Sequence, residues 1–281
     1  MRKIFFLLYA LQIACCLQAQ VDSTAAAIAE PSPLRLNKAV DFTVTGVAGA
    51  WTLYSLSKVS NKDHSTAEAV QALHKDDINW FDRWGVKPVS NSADKLSYVP
   101  FYVAMPLPLG VFLIDKKMRK DFFKLTLLYA EAMTSTGVLY GSATRYVDRY
   151  RPFVYTSESP LDQRVAGSAK NSFFAGHVAL VGTSAFFIAS TYDAYHPHSP
   201  LKWVFYGGAA ALTATTGYLR HQAGMHFPSD ILLGTAVGTL SGILVPHFHK
   251  VKPGKDHISH ISILPYSGGP STYGIVFRYK V

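Results

Sequence analysis

Six apolar stretches recur along the chain, near residues 40–58, 97–114, 122–141, 177–194, 201–219 and 230–246. Each runs about 17–20 residues, long enough to cross a hydrocarbon core as a helix. They are rich in small residues, as in Gly207-Gly208-Ala209-Ala210-Ala211 and Gly234-Thr235-Ala236-Val237-Gly238. Small side chains let helix backbones approach closely. The pattern predicts an all-α fold, a six-helix transmembrane bundle over residues 40–250; a soluble bundle of buried helices is the alternative. Between the first two stretches lies a mixed-charge connection, residues 60–96, carrying Trp80, Phe81 and Trp84. These aromatics read as packing residues or interfacial anchors. In the tail, 251–281, Ile261-Ser262-Ile263-Leu264 and Thr272 to Tyr279 are strand-like around Ser267-Gly268-Gly269-Pro270, which predicts a short β-hairpin.

The N-terminus has the form of an export signal over residues 1–20: Arg2 and Lys3 precede Ile4-Phe5-Phe6-Leu7-Leu8, and Ala19 offers a small residue for cleavage. Residues 21–39 are small, polar and Pro-containing, and read as a linker. Both cysteines, Cys15 and Cys16, lie in the signal, so a chain cleaved after Ala19 has no thiol for a disulfide or for catalysis. Charged residues make up only 16% of the chain, which supports apolar surface facing lipid, although the mean hydropathy of +0.12 is low for a chain made mostly of spans. The formal net charge of +9 suits anionic lipid surfaces or phosphorylated substrates. No basic run interleaved with stacking aromatics suggests a nucleic-acid groove.

Three clusters carry candidate chemistry. Arg145-Tyr146-Val147-Asp148-Arg149-Tyr150-Arg151-Pro152 follows the third stretch, and its guanidinium forks match phosphate oxygens. Ser172-Phe173-Phe174-Ala175-Gly176-His177-Val178 opens the fourth; Gly176 leaves backbone N–H groups free to meet an anion, and His177 offers a proton. Arg220 to Asp230 joins the fifth to the sixth. There the four-residue spacing of His226 and Asp230 allows the carboxylate to hold one imidazole nitrogen while the other faces substrate. Asp230 as a simple helix cap is the alternative. Loosely spaced His247, His249, His257 and His260 in a basic flank read as solvated rather than as metal ligands.

Taken together, the clusters resemble the type 2 phosphatidic acid phosphatase superfamily, which includes class A acid phosphatases and vanadium haloperoxidases. Arg151-Pro152, Gly176-His177, and Arg220, His226 and Asp230 match its motifs in order, the last three at the family spacing. Thr144 replaces the family's lysine, with Arg145 adjacent as a substitute; Phe174-Ala175 replace Pro-Ser; Leu219 replaces a serine. The resemblance implies a phosphoric monoester hydrolase needing no cofactor and no metal. In it His226 accepts the phosphoryl group, Asp230 stabilises the imidazolium and His177 protonates the leaving oxygen. Arg151 and Arg220, helped by Arg145 or Arg149 and by Gly176, hold the phosphate. The implied substrate is a membrane lipid phosphate or diphosphate; a periplasmic acid phosphatase for small esters and a non-catalytic phosphate-lipid binder are the alternatives.

Six spans would place all three clusters on one face. Lys116, Lys117, Arg119 and Lys120, with Lys250, Lys252 and Lys255, put the opposite face in the cytoplasm, whereas a cleaved signal followed by six spans predicts the reverse. An export signal serves little purpose for a cytoplasmic catalytic face. The expectation is therefore an integral protein of the bacterial cell envelope with its site facing the periplasm.

Overall fold

The computed structural model describes residues 31–251, and the backbone of 262–267 and 273–278. The expected signal and both cysteines lie outside the described residues. Each apolar stretch forms helix: α1 (Lys38–Val59), α3 (Asn91–Ala104) with α4 (Leu107–Ile114), α5 (Phe122–Tyr146), α7 (Gly176–Tyr195), α8 (Leu201–Gln222) and α9 (Pro228–Phe248). Short helices α2 (Ala67–Gln71) and α6 (Leu161–Val165) lie in the connections. In the tail, β1 (Ser262–Ser267) pairs antiparallel with β2 (Tyr273–Arg278), Ser262 opposite Arg278 and Ser267 opposite Tyr273.

The second stretch is two helices, not one. Pro106 and Pro108 have no N–H, so the carbonyls four residues earlier lose their helical donors. Ser184 Oγ on α7 donates to the Ala104 carbonyl that Pro108 leaves free, and beside the break Tyr129 Oη on α5 donates to the Met105 carbonyl at 3.0 Å. Hydroxyl groups thus satisfy the break inside the bundle, as an apolar surrounding requires. Residues 32–37 also depart from the expected linker. Leu34 is 1% exposed and bridges to Lys250, and its carbonyl accepts from Lys124 Nζ at 3.1 Å.

Helix α7 is the axis of the bundle, packed against α9, α8, α5, α3 and α4. Its small and apolar residues surround the helix on all sides, the mark of a buried helix. Contact with α9 is backbone to backbone. A Cβ on Gly234, Gly238 or Gly242 would lie 2.6, 2.3 or 2.6 Å from the carbonyl oxygens of Ala175, Ala179 and Thr183. Four-residue spacing puts these glycines on one face of α9, and the three carbonyls share a face of α7. On the outside, large apolar side chains stay bare, including Phe42, Leu53, Tyr102, Ile114, Trp203 and Leu240. Two segments, Asn91–Ile114 and Pro228–Phe248, are long and apolar enough to cross a membrane, and only 28% of each apolar window is buried.

Candidate active site

The C-termini of α5 and α8 and the N-termini of α7, α9 and α3 gather at one end of the bundle, bringing the three clusters together. Local signals set the path that carries His226. Helix α8 closes with Gly224 at φ 70°, where Gly224 N–H donates to His221 O and Met225 N–H to Arg220 O. This is the Schellman closure that glycine permits without a Cβ penalty. Helix α9 begins with Pro228 in its first turn, and Asp230 Oδ2 accepts from Phe227 N–H at 3.0 Å. His226 is therefore held between a C-terminal stop and an N-terminal start.

His226 is 2% exposed, and its Nδ1 lies 2.7 Å from the Ser172 carbonyl oxygen. A carbonyl only accepts, so Nδ1 carries the hydrogen and Nε2 keeps its lone pair. Burial, then the charges of Arg220 and Arg151, hold the imidazole pKa well below the usual 6.5. At neutral pH the ring is neutral.

Asp230 does not hold the imidazole, contrary to the expectation from spacing. Its oxygens accept from Phe227 N–H, from Ser172 Oγ at 2.6 Å and from Arg149 Nη1. The capping alternative describes its backbone contact, because a carboxylate at the third position of a helix reaches back to the chain before it. It reaches the ring through Ser172, whose hydroxyl it holds and whose carbonyl meets the ring.

The arginines divide. Arg220 is 2% exposed; Nη1 pairs with Asp94 and lies 3.1 Å from Ser97 Oγ, while Nε is buried without a partner among the described residues. Arg151 reaches Met225 Sδ at 2.9 Å, and its Nε is likewise buried and unpaired among the described residues. Burial and then the neighbouring Arg220 push the Arg151 pKa down to about 10, still high enough to keep the charge at neutral pH. Two guanidinium groups with free N–H donors thus act on His226, and the field of His177 also reaches it. His177 itself lies edge-on to Tyr98 and Phe101, with ring centroids 4.8 and 5.2 Å away.

Arg149 and Arg145 are engaged elsewhere. Arg149 bridges Asp230 and Asp82, with Nη2 2.6 Å from Asp82 Oδ2 and Nη1 3.0 Å from Ser229 Oγ. Arg145 leaves the site for the outer aromatic face, its guanidinium 4.7 Å from the Tyr54 ring centroid and 4.9 Å from that of Tyr146. It therefore does not substitute at the Thr144 position, where the hydroxyl donates to Phe173 O at 3.1 Å. Gly176 meets a packing demand: a Cβ there would lie 2.6 Å from the Tyr140 ring.

Asp82, Asp94 and Ser97 escaped the sequence reading because they lie in or beyond the mixed-charge connection, where no motif marks them. Ser172 sat inside a quoted cluster, but only its backbone geometry reveals a role. The Asp82 side chain is fully buried and accepts from Arg149, Asn79, and both Ser229 N–H and Oγ. Burial alone would raise its pKa; hydrogen bonds from Ser229, Asn79 and Arg149 outweigh this and hold it below 3.8. With a depressed folded value, the stabilisation is present above 3.8 and is lost as pH falls through that lower value. Asp82→Ala leaves Arg149 paired with Asp230 alone and deprives Asn79 and Ser229 of their acceptor, and is expected to cost about 1.5–3 kcal/mol in chemical unfolding at neutral pH. A loss under about 1 kcal/mol would mean that the pair behaves as a solvated surface bridge.

A search of curated protein sequences finds no match. Among solved structures the chain is similar to a transmembrane PAP2-type phosphatidylglycerolphosphate phosphatase from Bacillus subtilis, at 20% identity and TM-score 0.44, over 72% of this chain and 94% of that one. It is also similar to LpxE of Aquifex aeolicus, at 24% identity and TM-score 0.39, over 55% and 82%. The PAP2 superfamily model matches residues 125–253, a segment that holds all three clusters and excludes Asp82 and Asp94. By that match, residues 125–253 of this chain are similar to the PAP2 superfamily.

Proposed function

We propose that the chain is a phosphatase acting on a membrane lipid phosphate or diphosphate, with His226 as phosphoryl acceptor. One observation carries this reading: a neutral imidazole, fixed through Nδ1 by Ser172, leaves Nε2 open beside two buried guanidinium groups with unpaired N–H donors. In the first step the Nε2 lone pair forms a bond to phosphorus as the bond to the leaving oxygen breaks, and His177 gives that oxygen a proton. Arg151 and Arg220 neutralise the equatorial oxygens, where charge gathers in the transition state. In the second step water attacks the phosphohistidine, its proton passes to His177, and phosphate leaves. Asp230 acts from behind, steadying Ser172 while the imidazole is cationic, and Arg149 orients Asp230.

The bare apolar side chains around the helices support a lipid surrounding, since contiguous exposed apolar surface marks contact with membrane or protein. Lys116, Lys117, Arg119 and Lys120 lie between α4 and α5, at the end away from His226. Basic residues favour the cytoplasmic side, which supports a catalytic end that faces the periplasm of a bacterial envelope.

Phosphate release from phosphatidylglycerol phosphate, undecaprenyl diphosphate and a lipid A phosphate in mixed micelles, set against small soluble esters, tests the reading. Turnover of at least one lipid phosphate is expected to exceed that of every soluble ester by 10-fold or more, an order-of-magnitude figure for binding energy from the remote acyl part. Faster turnover of soluble esters would mark an acid phosphatase. Binding without release would mark a phosphate-lipid binder.

A further inference from the structure

At the end of the bundle opposite His226, three ligating side chains from three helices converge. His249 caps α9, Asp41 lies in the first turn of α1, and Glu131 comes from the third turn of α5. The solvated flank expected for His249 is not what forms: its side chain is 14% exposed and faces both carboxylates. His249 Nδ1 lies 2.7 Å from the Val245 carbonyl, which can only accept, so the Nδ1 hydrogen is committed and Nε2 is the ring nitrogen that faces the carboxylates. That nitrogen is 3.4 Å from Asp41 Oδ1 and 3.8 Å from Glu131 Oε2.

Neither carboxylate is satisfied from elsewhere in this direction. The Asp41 side chain is only 6% exposed, and the Asn37 N–H occupies Oδ2, leaving Oδ1 aimed at the triad. Glu131 Oε2 is shut off from solvent and has no hydrogen-bond partner among the described residues. Two anionic oxygens and a ring nitrogen, all within 4.8 Å of one another, repel unless a positive charge sits among them.

The spacing suits a metal ion. With metal–ligand distances of ~2.1 Å, a tetrahedral site has edges of ~3.4 Å between ligand atoms. The imidazole-to-carboxylate separations of 3.4 and 3.8 Å are close to such edges. A backbone carbonyl on Nδ1–H is also the support that metal-bound histidines ordinarily carry. An imidazole in the set selects a zinc-like ion over calcium or magnesium, which prefer oxygen alone. A cavity of about 610 Å³, lined in part by Asn37, Asp41 and His249, gives access.

We propose that Asp41, Glu131 and His249 form a binding site for a divalent transition cation of the zinc class, with water completing the shell. The ion staples α1, α5 and α9 together at the end remote from the phosphatase chemistry. The site is independent of the phosphatase reading and has its own measurement.

Untagged full-length protein in detergent, stripped with chelator and desalted, is titrated with zinc chloride. Bound zinc is counted by mass spectrometry, and unfolding is followed by heating. Wild type is expected to retain one zinc per chain and to gain about 5 °C in Tm at saturation, as ligand binding to the folded state requires. His249→Ala and Glu131→Gln are each expected to weaken zinc binding at least about 100-fold and to abolish the zinc-dependent shift. His247→Ala, on the exposed neighbour, is expected to keep both. The readout is the difference made by zinc within each variant, so a change in the metal-free Tm does not confuse it. Wild type that holds no zinc, or variants that hold it as wild type does, would overturn the site. The triad would then be a cluster of side chains that holds the helices together without a metal.

Discussion

Replacing His226 with alanine is expected to lower turnover of a lipid phosphate by roughly 10⁵-fold, the order seen when a covalent nucleophile is removed. The residual rate would come from Arg151 and Arg220, which can still bind and polarise the phosphate. The fold should survive. His226 lies between helices α8 and α9, outside the glycine seam, and its ring is held by the Ser172 carbonyl. Losing that hydrogen bond costs about 1 kcal/mol, small beside the catalytic loss. Wild type quenched in alkaline denaturant, in which a phosphohistidine survives, should carry phosphorus bound to protein during turnover, and the variant none. Retention of a tenth of the activity would remove His226 from the nucleophile's role. The pH dependence gives a second check. Burial, Arg220 and Arg151 hold the folded pKa well below 6.5, so the acid limb set by this imidazole should also fall below 6.5. Stability follows the same sign. Below 6.5 the unfolded chain binds a proton that the native chain excludes, so acidification through that range should destabilise the fold.

Gly238→Val is expected to be the most damaging substitution in the bundle. Its Cβ would stand 2.3 Å from the Ala179 carbonyl oxygen, and the Ala179 carbonyl carbon and Cα are each 3.0 Å away. Those atoms are helix backbone and cannot rotate aside as a side chain would. Relief requires α7 and α9 to separate along the face shared with Gly234 and Gly242, exposing the contact that centres the fold. Overpacking in a core ordinarily costs about 1–3 kcal/mol, and a clash against rigid backbone belongs above that range. With marginal total stability, such a cost leaves little folded protein. Thermal unfolding and size-exclusion profiles in detergent should show an aggregated or strongly destabilised variant. Gly207→Ala is the matched control. A Cβ there meets nothing within 4 Å, and the change should be neutral or stabilising by up to about 1 kcal/mol. Equal behaviour of the two variants would show that the seam is not the tight contact described.

The local parts of the molecule were legible in its sequence. Apolar runs of helical length marked where α1, α5, α7, α8 and α9 form, since a helix needs only its own residues to satisfy its backbone. Pro228 and Asp230 marked the start of α9, and the order of the clusters placed Arg151, His177, Arg220 and His226 at one end of the bundle. These features depend on spacing along the chain, which helix geometry converts directly into position.

Partnership between distant segments was a different matter. Arg149 and Arg145 were interchangeable on paper. In the fold, Arg149 meets Asp82, which is 67 residues earlier in the chain, whereas Arg145 turns out to Tyr54. Asp230 has the spacing to reach His226, yet the ring is held by Ser172, a contact across 54 residues. His249 looked solvated because Asp41 and Glu131, which surround it, are more than a hundred positions away. The sequence by itself determined the helices, their caps and the set of chemical groups delivered to the His226 end of the bundle. Only the tertiary structure decided which charge neutralises which. Burial makes each unpaired charge costly, and packing of the whole bundle chooses the neighbour that relieves it.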